Sequence, residues 1–434
     1  CFEDAPSGCD NVCGSTAEFD NCDVCDGDNA DQDCTGECFG DSIIDECGVC
    51  AGSGAFECSD GSFECDENDC SDTIEYCLEL HAGSNLVSLH ALPEDAAIAN
   101  VMSSVEGIAY GVIGEGVAAN YNESFGWMGS LNTISPKSGY WVKVEEVCSL
   151  CIDDGIPTDP SIGFTLHSGY NLISFPVSGS VVIPDALPDD VEDFVTGIIG
   201  EGVAANNNEI LGWMGSLNAL AGGFGYWLAT TEPISFSFDT GSMSRTKLGN
   251  SPDLVAPNGF EIYQSTNQAF YFIEEIILDG DSIENGDWVM VYNEEILVGA
   301  REWNGTFTDV PVMGWDGSLE TVGYSTSKMN LTFKVLKNNE AATEYYILDA
   351  MPAWENLSIH SVNTIIGKEL PSKTMLVSAY PNPFNPVTQI TFAVETESIV
   401  RLAVVDISGR IIDKLANELY LPGYYGLSWN AENY

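Results

Sequence analysis

The sequence predicts a mainly β protein: a row of β-sandwich-like modules behind a disulfide-rich, loop-rich N-terminal arm. Three observations carry this expectation. Thirteen of the fifteen cysteines fall within residues 1–77. A block of sequence beginning near Leu80 returns at a constant offset of 86 residues. Beyond residue 257, strand-like runs alternate with turn residues up to about residue 366.

The arm, residues 1–77, carries 22 acidic residues and too few large aliphatic residues to build a core. Cross-links or ions must therefore replace hydrophobic burial. Such cysteine density predicts a disulfide framework formed in an oxidising compartment, and the odd total leaves one thiol over. Zinc is the alternative for Cys22-x-x-Cys25 and Cys47-x-x-Cys50, whose spacing approaches that of a zinc ribbon. Asp26, Asp28, Asp31 and Asp33 set carboxylates at near-alternating positions around Gly27. Hard Ca²⁺ takes six to eight oxygens from loops of this kind, so these four are the candidate calcium ligands. The segment is similar to the Asp-rich calcium repeats of extracellular thrombospondin-like stalks, though its spacing departs from theirs, and it lacks the terminal Glu of an EF-hand. The plainer alternative is a solvated acidic loop between disulfides.

The repeat comes next. Leu80-His81-x-Gly83-x-Asn85-Leu86-x-Ser88 returns as Leu166-His167-x-Gly169-x-Asn171-Leu172-x-Ser174. Gly114-Glu115-Gly116-Val117-Ala118-Ala119-Asn120 returns from Gly200 to Asn206, and Gly126-Trp127-Met128-Gly129 from Gly212 to Gly215. Gly139-Tyr140-Trp141 returns as Gly225-Tyr226-Trp227. This is a duplicated module, with copies expected over 78–150 and 151–245. Each reads mostly as strands, among them Asn85 to His90, Tyr140 to Val144 and Ile234 to Asp239, with alternating faces. Ile98, Val101, Met102 and Val105 recur at helical spacing in the first copy. The second has Pro188 at the place of Met102, so its helix must start later, near Asp189. Cys148-x-x-Cys151, between the copies, is placed to staple them together.

Residues 244–256 read as a linker, and 254–366 as a β-sandwich. Its clearest strands are Phe270 to Ile277, Trp288 to Tyr292, Glu295 to Ala300 and Asn330 to Leu336. Gly280, Gly286, Asn304-Gly305 and Asp316-Gly317 punctuate them.

The C-terminal stretch, 367–434, contains Asn382-Pro383-Phe384-Asn385-Pro386, then Asp406-x-x-Gly409-Arg410, then Trp429-Asn430. Gln389 to Val394 and Val400 to Val405 read as strands, and Ser408-Gly409 as a turn. In this order the motifs resemble the C-terminal sorting domain of type IX secretion, found in Bacteroidota and related Gram-negative bacteria. The resemblance implies an Ig-like C-terminal domain and export across the outer membrane, hence a secreted or cell-surface protein. The family usually adds further strands after Trp-Asn, so either these are lost or something else completes the sheet. The run from Asp281 to Tyr292 resembles modules found just upstream of such sorting domains. Asp41-Ser42-Ile43, Asp72-Thr73-Ile74 and Asp281-Ser282-Ile283 match a short O-glycosylation motif of exported proteins in these bacteria, making Ser42, Thr73 and Ser282 candidate acceptors.

Charge bounds the partners. The net charge is −54, with 13 Lys plus Arg, and before Arg245 the only basic residues are Lys137 and Lys143. Such a surface excludes nucleic acid as a partner and disfavours anionic membrane surfaces. No apolar run is long enough to span a membrane.

Chemistry finds little purchase. The four histidines are His81, His90, His167 and His360, and the first and third are repeat equivalents. No HExxH, GxSxG or Walker loop occurs, and the Gly-Glu-Gly segments read as tight turns. Trp127, Tyr140, Trp141, Trp213, Tyr226 and Trp227 read as module core in preference to a sugar-stacking face. The expectation is a non-enzymatic extracellular structural protein that assembles with itself through β-module contacts and strand addition. The alternatives are an adhesin binding cell-surface glycans, and the non-catalytic tail of a larger secreted enzyme.

Overall fold

The computed structural model describes residues 8–432 apart from 13, 59–62, 67, 68, 70–72, 242–253, 339–343, 370 and 372. Cys1, Cys13, Cys70, Asp72 and most of the 244–256 linker lie outside the described residues. The protein is mainly β, as its sequence predicts. The chain divides into two compact units, Cys1–Tyr76 with Ile152–Pro157, and Cys77–Cys151 with Thr158–Tyr434.

In the first unit the arm is a ladder of turns. Disulfides join Cys9 to Cys25, Cys22 to Cys38, Cys34 to Cys50 and Cys47 to Cys65. Single β-bridges, Phe19 to Cys25, Gln32 to Cys38 and Ile44 to Cys50, mark three equivalent rungs. The cysteines proposed for zinc, Cys22, Cys25, Cys47 and Cys50, are all oxidised, so none offers a thiolate.

In the second unit the duplicated sequence folds twice into one topology. The first copy's sheet runs Gly83–Val87, Tyr140–Val144, Ala109–Ile113, Ala118–Asn122, Gly126–Gly129 from edge to edge. The second runs Gly169–Ser174, Gly225–Thr230, Val195–Ile199, Ala204–Asn208, Gly212–Gly215 in the same order. The expected strand alternation is not seen in Tyr140–Val144, where every residue is buried. One face meets the module's own core and the other meets a neighbouring module. The helical spacing of the first copy gives one turn of α-helix, Ile98–Val101, and one of 3₁₀-helix, Ser103–Val105. In the second, Pro188 caps a short helix, Asp189–Glu192, as expected, and Pro184 starts another turn, Ile183–Ala186.

Cys151 does not link the two copies: it bonds Cys77, inside the second unit. Cys148 is the free thiol among the described residues. Burial, with Glu146 and Glu79 nearby, pushes its thiol pKa up and keeps it protonated.

Residues 268–369 form one eight-stranded sheet curled on itself into a half-barrel. Its long strand Gln268–Leu278 lies parallel to Ile359–Glu369 and antiparallel to Thr308–Met313. Tyr271, Val289, Val298, Val310, Phe333 and Trp354 fill the interior. At the C-terminus, Met375–Tyr380, Val387–Val394 and Gly423–Asn430 make a three-stranded sheet, and Ser398–Val405 pairs with Ile411–Tyr420 in a second.

Candidate functional site

Two constructions concentrate the polar side chains that recur in this chain: the carboxylates of the arm, and the interface between the two repeats.

In each rung of the arm an aspartate caps its own turn. Asp20 accepts the amides of Cys22, Val24 and Asn29 at 2.8–3.0 Å. Asp33 accepts those of Thr35, Glu37 and Ser42 at 2.9–3.2 Å, and Asp45 those of Cys47, Val49 and Gly54 at 2.8–3.0 Å. The amides lie two, four and nine residues on in every case. The glycine seven residues on leaves room for that carboxylate. A Cβ at Gly27, Gly40 or Gly52 would fall 2.0–2.3 Å from the carboxylate of Asp20, Asp33 or Asp45. Hydrogen bonding holds the three carboxyls below their ordinary range. For Asp33 the Thr35 hydroxyl leads and the pKa falls to about 2. For Asp20 and Asp45 the Val24 and Val49 amides lead.

This places the calcium candidates. Asp33 is turned to the backbone, with its Oδ1 also accepting the Thr35 hydroxyl at 2.6 Å. Asp26, Asp28 and Asp31 are exposed. Among the described residues no three His, Cys, Asp or Glu side chains gather where they could hold one ion, so these four do not converge. Of the glycosylation candidates, Ser282 is exposed on the two-residue strand Asp281–Ser282, while Ser42 and Thr73 are half-buried.

The second construction joins the repeats. Glu201 Oε1 meets His81 Nε2 at 2.5 Å, and its Oε2 accepts the Leu86 amide at 2.6 Å. Glu115 does the same in the other direction, to His167 Nε2 at 2.6 Å and the Leu172 amide at 2.8 Å. Ser88 N donates to Gly223 O at 3.0 Å, and Ser174 N to Lys137 O at 3.1 Å. Each of these contacts has its counterpart 86 residues on with the partners exchanged, which is the signature of an isologous interface. Two copies within one chain thus pair as a two-fold dimer pairs.

The repeated motifs now have physical reasons. Asn85 fastens the turn ahead of its strand, accepting the His81 amide at 2.9 Å and donating to His81 O at 2.8 Å, and Asn171 repeats this around His167. That turn aims the imidazole across the interface. The Gly-Glu-Gly turn closes by Gly114 N to Val117 O, or Gly200 N to Val203 O, and pushes its glutamate outward to the other copy. Leu86, Leu172 and Trp141 pack at the interface with Trp227. Fully burying a leucine such as Leu86 or Leu172 stabilises by about 1.5–3 kcal/mol. The aromatic candidates accordingly go to packing: Tyr140, Trp141 and Tyr226 are buried, and Trp213 and Trp227 are half-buried against apolar clusters. Trp127 is also half-buried, edge-on to Tyr121.

The half-barrel breaks the symmetry. It covers the second repeat, where Phe270, Phe272 and Leu357 pack on Ile199 and Ala204. Gln268 donates to Gly200 O at 2.7 Å and Arg301 to Gly202 O at 2.8 Å, bracketing Glu201. The Glu201 side chain is therefore 7% exposed, while that of Glu115 is 39% exposed. The first repeat meets the half-barrel through Lys143, whose Nζ lies 2.9 Å from Asp316 Oδ2.

His360 completes the set of histidines. It sits 2.8 Å from the Ser358 hydroxyl and against the Tyr271 ring, and burial lowers its pKa.

Family models, curated proteins and solved structures gave no match to this chain. The disulfides among the described residues point to an oxidising environment. Among the described residues no helix is long and apolar enough to cross a membrane.

Proposed function

We propose that this chain is a non-enzymatic structural protein of the cell exterior that assembles with copies of itself by strand addition. The observation that carries this reading is the edge strand Met375–Tyr380. All six of its residues are exposed, and among the described residues it pairs on one side only, with Val387–Val394. An apolar edge of this kind is a ready template for another strand. Around it, Ile399, Ile411, Leu419 and Tyr424 are also exposed on the two C-terminal sheets. The rest of the molecule supports the reading through what its recurring residues do. His81, His167, Glu115 and Glu201 hold modules to one another, and Asp20, Asp33 and Asp45 hold the arm's turns. Export by the type IX route, implied by the C-terminal motifs, belongs to the same proposal.

Electron microscopy and light scattering of the purified chain over a range of concentrations test it. Concentration-dependent oligomers or fibres are expected, reduced by Val377→Pro, which takes a backbone donor out of this strand and disfavours its pairing. Isolated monomers throughout, or assembly unaffected by the proline, count against it.

A further inference from the structure

The disulfide ladder has a topology whose mechanical consequence goes beyond the assembly reading. Each cross-link overlaps the next. Cys22 lies inside the Cys9–Cys25 loop, Cys34 inside the Cys22–Cys38 loop, and Cys47 inside the Cys34–Cys50 loop. Every peptide bond from Cys9 to Cys65 is therefore spanned by at least one disulfide.

Consider the covalent route from Cys9 to Cys65. It crosses to Cys25, steps back to Cys22, crosses to Cys38, steps back to Cys34, crosses to Cys50, steps back to Cys47 and crosses to Cys65. Only about ten residues of backbone lie on this route, joined by four cross-links whose Cα atoms are 5.3–5.5 Å apart. At roughly 3.4 Å per extended residue, its ends part by no more than on the order of 60 Å, against about 190 Å for the same segment reduced.

A second route is equally short. It runs from Cys25 forward to Cys34 and omits the Cys22–Cys38 bond altogether. The two routes share load, and either limits the length alone. One covalent break between Cys9 and Cys65, in backbone or in disulfide, leaves the ends joined.

We infer that the arm is a force-bearing tether of fixed maximum length, doubly connected so that a single proteolytic or reductive cut does not part it. The sequence fits this use. With too little apolar surface for a core, non-covalent packing offers small resistance to pulling. The Asp20, Asp33 and Asp45 caps set the turn geometry that brings each cysteine to its partner in the next rung. Cleavage within an exposed turn, where proteases nick preferentially, becomes harmless to its mechanical continuity.

Two measurements on the full chain test the inference. First, a protease recognition sequence is inserted between Ala30 and Asp31, both exposed. After cleavage the chain should stay one covalent molecule by mass until reductant is added. In the Cys22→Ser, Cys38→Ser variant, cleavage alone should release the N-terminal fragment. Release from the parent without reductant, or retention in the variant, overturns the connectivity. Second, peptide-tag handles ahead of Cys9 and after Cys65 allow the arm to be pulled by itself within the whole protein. Under oxidising conditions extension should stop near 60 Å, and reductant should add about 130 Å. The double-serine variant, uncut, should stop at about the same length as the parent. An oxidised arm that extends to the reduced length overturns the tether, and does so whether or not the chain assembles through its C-terminal edge.

Discussion

Gly139 and Gly225 occupy the same place in the two repeats and face each other across their interface. A Cβ built on Gly139 would lie 3.1 Å from the Gly225 Cα, and one built on Gly225 would lie 3.2 Å from the Gly139 Cα. The Gly139 Cβ would also meet the Ile173 carbonyl at 2.9 Å, and the Gly225 Cβ the Val87 carbonyl at 2.8 Å. Backbone cannot yield as a side-chain tip can. Gly139→Ala and Gly225→Ala should each destabilise the second unit by about 1–3 kcal/mol. Chemical denaturation should show a lower midpoint with unchanged slope for both. A neutral result at either position would mean that the repeats do not approach this closely.

The two glutamates make a controlled comparison, since chemistry and partners are equivalent and only burial differs. Glu201→Ala strands the buried Leu86 amide and should cost about 1–3 kcal/mol. Glu115→Ala uncovers the Leu172 amide at a wetter site, where water replaces the lost acceptor, and should cost less than about 1 kcal/mol. The ranking, read from unfolding free energies of the two variants, is the prediction. Equal costs would remove the role assigned to Gln268 and Arg301 in sealing the second site.

Much of this was legible in the sequence, and the boundary is instructive. An offset of 86 residues held at every motif foretold two copies of one topology, and their sheet orders agree strand for strand. Tyr140 to Val144 is a strand with those bounds, and Trp288 to Tyr292 is one to within a residue. What the motifs were for was not legible. His81 and Glu201 lie 120 residues apart, and no local pattern pairs them. A clue existed in retrospect: a histidine and a glutamate duplicated together have partners to exchange. The arm's own repeat was missed for a different reason. Asp20, Asp33 and Asp45 are separated by unequal steps, and only the aspartate, two cysteines and a glycine recur, so sliding the chain at fixed offset dilutes the signal. Reading Asp26, Asp28, Asp31 and Asp33 as one set mixed a turn-capping aspartate with three exposed ones. Residue type alone does not tell a carboxylate that caps amides from one that faces water.

The His167 pair gives a pH dependence whose sign follows from its direction. The Ser168 carbonyl first, then the Glu115 carboxylate, raises the imidazole pKa. The folded state therefore holds the proton more tightly than the unfolded chain. The resulting stability is fully present below the unfolded value of about 6.5 and is lost as pH rises through the higher folded value. The group is largely exposed, so the effect is small and salt-sensitive. NMR titration should place the His167 midpoint above that of an unfolded peptide and move it down in Glu115→Gln. A midpoint at or below the peptide value would contradict the bridge.

Lys143 is one of two basic residues in the first 244, and it is spent on a buried contact. Its side chain is 10% exposed and that of Asp316 is 1% exposed. Asp316 also accepts the Ser318 and Thr321 hydroxyls at 2.6 and 2.8 Å. Burial pushes its carboxyl up, but the Ser318 hydroxyl, Lys143 and the Ser318 amide together outweigh this and hold it far below the usual range. The equivalent position in the second repeat is Ala229, which needs no counter-charge. Lys143→Ala should therefore leave a buried carboxylate without its cation and cost about 3–5 kcal/mol. Removing one partner costs more than the pair is worth, so Lys143→Met with Asp316→Asn should recover part of the loss. The sign in acid follows as well. Because the folded pKa is depressed, the contribution is present above the unfolded value of about 3.9 and is lost as pH falls toward the folded one. In Lys143→Ala that acid dependence should weaken, seen as a flatter stability profile below pH of about 4. A variant with unchanged stability would place Asp316 in contact with water and detach the first repeat from the half-barrel at this point.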